Sequence, residues 1–155
     1  MPAGSRTSIV VLTLLALGGP AFAAPPTPSP PVRLGAVEGE SYDLAVESTA
    51  LEAGVDGVLR VILSARDGFK VSALYPTRLA MQAPPDGVHL PRTVAKLADA
   101  RMSEDRRTLV FELPLRIEHA GRFALEGTLK LSVCSDKSCV IDTRRLRAEL
   151  AVRER

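Results

Sequence analysis

Cys134 and Cys139 are the only cysteines of the chain, and Ser135-Asp136-Lys137-Ser138 is all that separates them. Two thiols this close can pair with each other across a tight turn. A bridge between them closes a loop of six residues, and loop-closure entropy gives so short a loop only ~2 kcal/mol of stabilisation. Exchange with an incoming thiolate needs an accessible sulfur and an in-line approach, which a short hairpin offers. On the residues alone, a structural clip, an exchange-active pair and two free thiols all remain open. Lys137 favours a neighbouring thiolate and Asp136 opposes it, so the sequence sets no direction for a thiol pKa. Two cysteines with two remote histidines, His89 and His119, make no recognised metal-ligand spacing, and neither a metal nor a cofactor is expected. The chain also lacks a G-x-S-x-G nucleophile turn and a phosphate-binding glycine loop.

The cysteines must be carried to an oxidising compartment for a bridge to persist, and the first residues read as an export signal. Arg6 supplies a positive start, Ile9 to Leu17 an apolar run, and Ala21-Phe22-Ala23 a small-x-small cleavage site. The apolar run is far short of the ~20 residues that span a bilayer. Residues 1–23 are therefore expected to be a signal peptide, the mature chain to begin near Ala24 without a membrane span, and the protein to be periplasmic or secreted. Residues 24–33 follow as a proline-rich linker, with five prolines between Pro25 and Pro31 that favour extended polyproline II. Residues 34–155 are long enough for one domain with its own core. Loss of Arg6 with the leader leaves 19 of the 20 basic residues against 18 acidic ones. That near-neutral balance gives no electrostatic case for nucleic acid or a membrane surface.

The elements that must hold the cysteines read as β throughout. Tyr42, Leu44 and Val46 alternate with polar or small residues, as do Leu59, Val61 and Leu63, and Leu79 and Met81 continue the theme. Longer period-2 runs are Leu109, Phe111, Leu113, Leu115 and Ile117, then Phe123 to Val133, then Leu146, Ala148, Leu150 and Val152. Such alternation marks strands with one buried face. Glycine-bearing turn signals at 53–57, 67–68, 84–87 and 119–121 separate them. Pro114 predicts an edge strand or a bulge within its run. About seven strands and no persuasive helix predict an all-β, immunoglobulin-like two-sheet sandwich. Residues 93–107 fit a strand and loop or a short helix.

If Ser135 to Ser138 form the loop of the last hairpin, Cys134 faces Cys139 and the register follows by counting. Phe123 then meets Leu150, Leu125 meets Ala148 and Val133 meets Val140 on the apolar face. Glu126 meets Arg147 on the other face, which also carries both cysteines. Leu129 opposite Arg144 and Leu131 opposite Asp142 fit less well and leave room for a bulge.

Three segments in order bear a family resemblance. They are Ala65-Arg66-Asp67-Gly68-Phe69-Lys70-Val71-Ser72 through Tyr75-Pro76-Thr77-Arg78-Leu79, then Pro85-Asp86-Gly87-Val88, then Gly127 to Cys139. Together, over about 55–150, the chain resembles the N-terminal periplasmic domain of the thiol:disulfide interchange protein DsbD. The resemblance implies an immunoglobulin-like fold with a redox pair of cysteines on a late hairpin, and a thioredoxin-like periplasmic oxidoreductase as partner. Only Cys134 and Cys139 carry over as catalytic residues. Phe69 and Tyr75 match in type and are read as core aromatics. The chain departs from the family in having one residue fewer between its cysteines and Val140-Ile141-Asp142 where the family has a Tyr-Pro-Pro-like segment. The stretch matching the family's aromatic cap loop, Lys96 to Met102, has no aromatic. Within these 155 residues no transmembrane or thioredoxin-like segment that would supply electrons is expected. Two functions follow as expectations: an exported thiol–disulfide interchange module working on separate redox partners, or a non-enzymatic binding domain clipped by its disulfide.

Overall fold

A computed structural model of the chain describes residues 29–155. The expected signal peptide and residues 24–28 of the expected linker lie outside the described residues. Twelve strands run in chain order as β1 (Val32–Glu38), β2 (Tyr42–Ser48), β3 (Leu51–Glu52), β4 (Asp56–Ala65), β5 (Lys70–Val71) and β6 (Arg78–Met81), then β7 (Val88–His89), β8 (Val94–Lys96), β9 (Arg101–Met102), β10 (Thr108–Ile117), β11 (Gly121–Cys134) and β12 (Cys139–Arg153). The first sheet has the order β1-β2-β4-β10-β7 with β9 also on β10; the second has β3-β12-β11-β6-β8 with β5 also on β11. This is a two-sheet, immunoglobulin-like sandwich. Seven of these strands have four or more residues, and six of them, all but β1, coincide with the alternating runs of the sequence.

The sandwich forms because each long strand offers one apolar face. In β4 and β10 the buried positions alternate along nearly the whole length, and their register puts Leu113 against Leu59 and Phe111 against Val61. Leu59, Leu63, Leu109, Phe111, Leu113, Leu129 and Val133 are fully buried. The four residues whose burial the pattern most directly predicts, Phe111, Leu113, Leu125 and Leu150, are all in this core. Pro114 sits opposite Val58 in an unbroken register, so no bulge forms there. The far side of β10 pairs only at Leu109–Val110, with β9, and at Arg116–Ile117, with β7. Pro114 lies in the open stretch between them, where its missing N–H costs no ladder bond. Residues 93–107 resolve as β8, a single 3-10 turn at Leu97–Asp99, and β9.

Two sequence expectations need correction. Val32 and Arg33, assigned to the linker, open β1 and pair with Ser48 and Glu47. That strand escapes period-2 reading because its register slips between Arg33 and Gly35 and much of it is exposed. The last hairpin, in contrast, contains no bulge. Its register runs without a slip from Gly121↔Val152 to Cys134↔Cys139, including Leu129↔Arg144 and Leu131↔Asp142.

The reason those two mismatches are tolerated lies across the sandwich. Buried Tyr42 of β2 donates its hydroxyl to Asp142 Oδ2 (2.5 Å) and accepts a bond from Arg144 Nε (2.7 Å). Arg144 and Asp142 also pair at 2.9 Å, and the guanidinium lies 5.9 Å from the Tyr42 ring centroid. The polar pair thus rims the core and ties the two sheets together. The Tyr42 hydroxyl holds the Asp142 carboxyl below its ordinary range, while burial and then Asp142 push the Tyr42 hydroxyl up. A depressed carboxyl stabilises the fold above its unfolded pKa and stops doing so as pH falls through its folded value; a raised phenol does the reverse, losing its contribution above pH 10. Tyr42→Phe is expected to cost ~1.5–3 kcal/mol at pH 7, the scale of a hydrogen bond to charged groups. The difference from wild type should narrow as Asp142 is protonated, which urea denaturation at pH 7 and pH 3 measures.

Candidate functional site

β11 and β12 end together at one end of the sandwich, and the turn between them is made by four polar residues. Ser135 N–H donates to Ser138 C=O at 2.8 Å, closing the turn around Asp136 and Lys137. Ser135 Oγ accepts from the N–H groups of Lys137 and Ser138, both at 3.2 Å. Neither Asp136 nor Lys137 has a positive φ, so this is not one of the primed hairpin turns. The serine hydroxyl satisfies the turn's amides instead.

Hydrogen-bonded and non-hydrogen-bonded pairs alternate along an antiparallel ladder. Because Ser135 and Ser138 are a bonded pair, Cys134 and Cys139 form the next, unbonded pair, the closer kind. Their Cα atoms are 4.0 Å apart and the sulfurs are joined in a disulfide, a little closer than the ~4.5 Å typical of an unbonded pair of opposed strand residues. The counting from sequence therefore places every predicted pair correctly, from Phe123↔Leu150 to Cys134↔Cys139. No described cysteine is left free.

Parity puts the disulfide on the outer face of the second sheet, away from the core. Cys139 is exposed and Cys134 half-buried. Ile141, next on that face of β12, is 63% exposed. Ser132, next on that face of β11, is fully buried, and its Oγ is 3.9 Å from Cys134 Sγ. On its other side β11 takes β5, where Lys70 pairs with Cys134 and Val71 with Val133. Ser72 N–H then donates to Ser132 C=O at 2.9 Å. The chain leaves the sheet over residues 73–77 and returns as β6, whose Arg78 pairs with Lys130. Gly127 lets β6 approach closely, since a Cβ there would stand 2.6 Å from Met81 Sδ and 3.0 Å from Ala80 O. The connection presents Leu74, 93% exposed, and Tyr75, also exposed. Tyr75 is thus not the core aromatic expected of it, whereas Phe69 does pack against the core.

The two histidines lie elsewhere. His89 Nε2 is 2.7 Å from Glu118 Oε1 and His119 Nε2 is 3.7 Å from Glu118 Oε2. That cluster is at the opposite end of β10 and β11 from the cysteines, ~40 Å away along fourteen residues of β11. No group of three metal-ligating side chains occurs among the described residues. No described helix is long and apolar enough to cross a membrane.

Comparison with protein-family models and with curated proteins found no match. Among solved structures, the chain is similar to the N-terminal periplasmic domain of ScsB from Proteus mirabilis (TM-score 0.46, 16% identity, 77% of this chain and 51% of that one). It is also similar to the GAE domain of GGA2p from Saccharomyces cerevisiae (TM-score 0.40, 10% identity, 76% of this chain and 96% of that one). A third is AggA, the major subunit of aggregative adherence fimbriae type I from Escherichia coli (TM-score 0.39, 8% identity, 73% of this chain and 96% of that one). The chain spans about half the length of the ScsB domain it matches.

Proposed function

We propose that the protein is an exported thiol–disulfide interchange module that exchanges electrons between Cys134–Cys139 and a thioredoxin-like protein dithiol. The observation that carries this reading is the placement of the bridge: it is on the outer face, with Cys139 exposed, where it restrains only a six-residue loop that already closes itself through Ser135. A clip there adds little stability, while access is what exchange requires.

The chemistry is a pair of displacements. A partner thiolate attacks Cys139 Sγ, the exposed side, and forms a mixed disulfide. Cys134 Sγ leaves with the bonding pair and takes up a proton, with Ser132 Oγ 3.9 Å away and Lys70 its cross-strand neighbour on the same face. The partner's second thiolate then attacks its own bridged sulfur and releases Cys139. The partner dithiol becomes a disulfide and the module a dithiol, with two electrons passed; the reverse sequence oxidises the module.

The test is the equilibrium potential of the pair against a glutathione series. An exchanging bridge is expected near about −230 to −180 mV, whereas a structural one typically lies below about −300 mV. The attacked sulfur is read from single variants. Cys134→Ser, which keeps Cys139, is first loaded as its mixed disulfide with thionitrobenzoate, and Cys139→Ser is loaded in the same way. Attack on loaded Cys134→Ser by a thioredoxin-like protein lacking its resolving cysteine is expected to release thionitrobenzoate and leave the protein–protein mixed disulfide. Cys139→Ser is expected to form it at least several-fold more slowly, because only the half-buried Cys134 remains.

A further inference from the structure

The outer face beside the disulfide carries an arrangement that the stability of the sheet does not call for. Lys96 of β8, Arg78 of β6 and Lys130 of β11 lie in one cross-strand row, and all three are exposed. Like charges directly opposed on neighbouring strands are destabilising. Lys70, opposite Cys134, and Arg145 of β12 share this outer face. None of these five makes an ion pair among the described residues, whereas Arg60, Arg66, Arg107 and Arg147 each meet a carboxylate. The nearest acids are engaged or few: Glu126 and Glu149 are held by Arg147, Asp99 by Arg92, and Asp136 stands in the hairpin turn.

A second observation shares the place. Exposed Ile141 adjoins Cys139 on this face, and the β5–β6 connection, tied to Ser132 C=O through Ser72 N–H, exposes Leu74 and Tyr75. Exposed apolar side chains beside a charged row are the ingredients of a protein docking patch. Resting on the exchange reading above, we infer that this face docks a thiol protein whose reactive cysteine is set in an acidic surface. Lys70 is one strand from the bridge, and Lys130 is ~13 Å along β11 from Cys134. That span exceeds the ~8 Å screening length at physiological salt, so the row addresses a partner of protein size, and a lone small thiolate feels mainly Lys70.

Reduction of the wild-type disulfide by cysteine peptides tests this directly. Two nonapeptides carry a central cysteine, one flanked by glutamates and one by lysines, and each rate is corrected for thiolate fraction and divided by the rate with neutral bis(2-hydroxyethyl) disulfide. The acidic peptide is expected to react about tenfold faster at 20 mM salt, the lower end of electrostatic steering, with the preference falling below about threefold at 0.5 M. Arg78→Glu with Lys130→Glu should abolish or invert it, and Arg78→Gln with Lys130→Gln should give an intermediate value; the wild-type salt series stands even if a variant misfolds. Exchange with both peptides at equal corrected rates overturns the docking inference and leaves the exchange reading intact. A preference that salt leaves unchanged also overturns it. Reduction by neither peptide overturns the exchange reading and this inference with it.

Discussion

Leu113→Ala is expected to lower the stability of the domain by ~2–5 kcal/mol. Leu113 is fully buried at the middle of β10, opposite Leu59 of β4, and faces the second sheet across the sandwich. Truncation removes apolar burial and leaves a cavity that the packed strands close only in part. Against a total of ~5–15 kcal/mol for a domain, the loss is a large share. Leu74→Ala is the matched control: the same chemical change at a residue 93% exposed is expected to move stability by no more than ~0.5 kcal/mol. Urea denaturation of the two variants beside wild type makes the comparison. Equal stabilities at 113 and 74 would mean that the parity of β10 is wrong.

That contrast also marks where the sequence is legible. β4, β10, β11 and β12 are long and half-buried, so burial repeats every second residue and the period shows. The final hairpin is clearer still, because one assumed turn fixes all fourteen pairs from Gly121 to Cys134. Less legible are strands whose partners are remote or whose pattern is broken. β1 hides behind its register slip, and β3, β5, β7 and β9 are two residues each, too short for any period. Arg144 and Asp142 looked like errors of register because their partner, Tyr42, is a hundred residues away on the other sheet. The cationic row Lys96–Arg78–Lys130 is illegible for a related reason: its members come from three strands, and only the pairing of β8, β6 and β11 brings them together. The cysteine pair needed no such assembly, since its two members lie on one hairpin.

Replacing both cysteines, as Cys134→Ala with Cys139→Ala, is expected to leave the fold standing and to abolish exchange. The loop they close holds six residues, so loss of the cross-link costs ~2 kcal/mol or less. Ser135 keeps the turn closed through three hydrogen bonds that do not involve sulfur. Val133 and Val140 remain paired beneath it, with Val133 fully buried, and Val71 still flanks Val133 from β5. The circular-dichroism spectrum should therefore be unchanged and the urea midpoint only modestly lower. Disulfide-dependent oxidation of a thioredoxin-like dithiol should fall to the uncatalysed rate, because the variant has no sulfur left to accept the electrons. Collapse of the fold would instead make the bridge a structural necessity. An intact fold, paired with a wild type that shows no exchange, would make the disulfide a local clip on a binding domain. The two readings thus separate on a single variant measured in two ways, since stability and electron transfer respond to different consequences of removing the same bond.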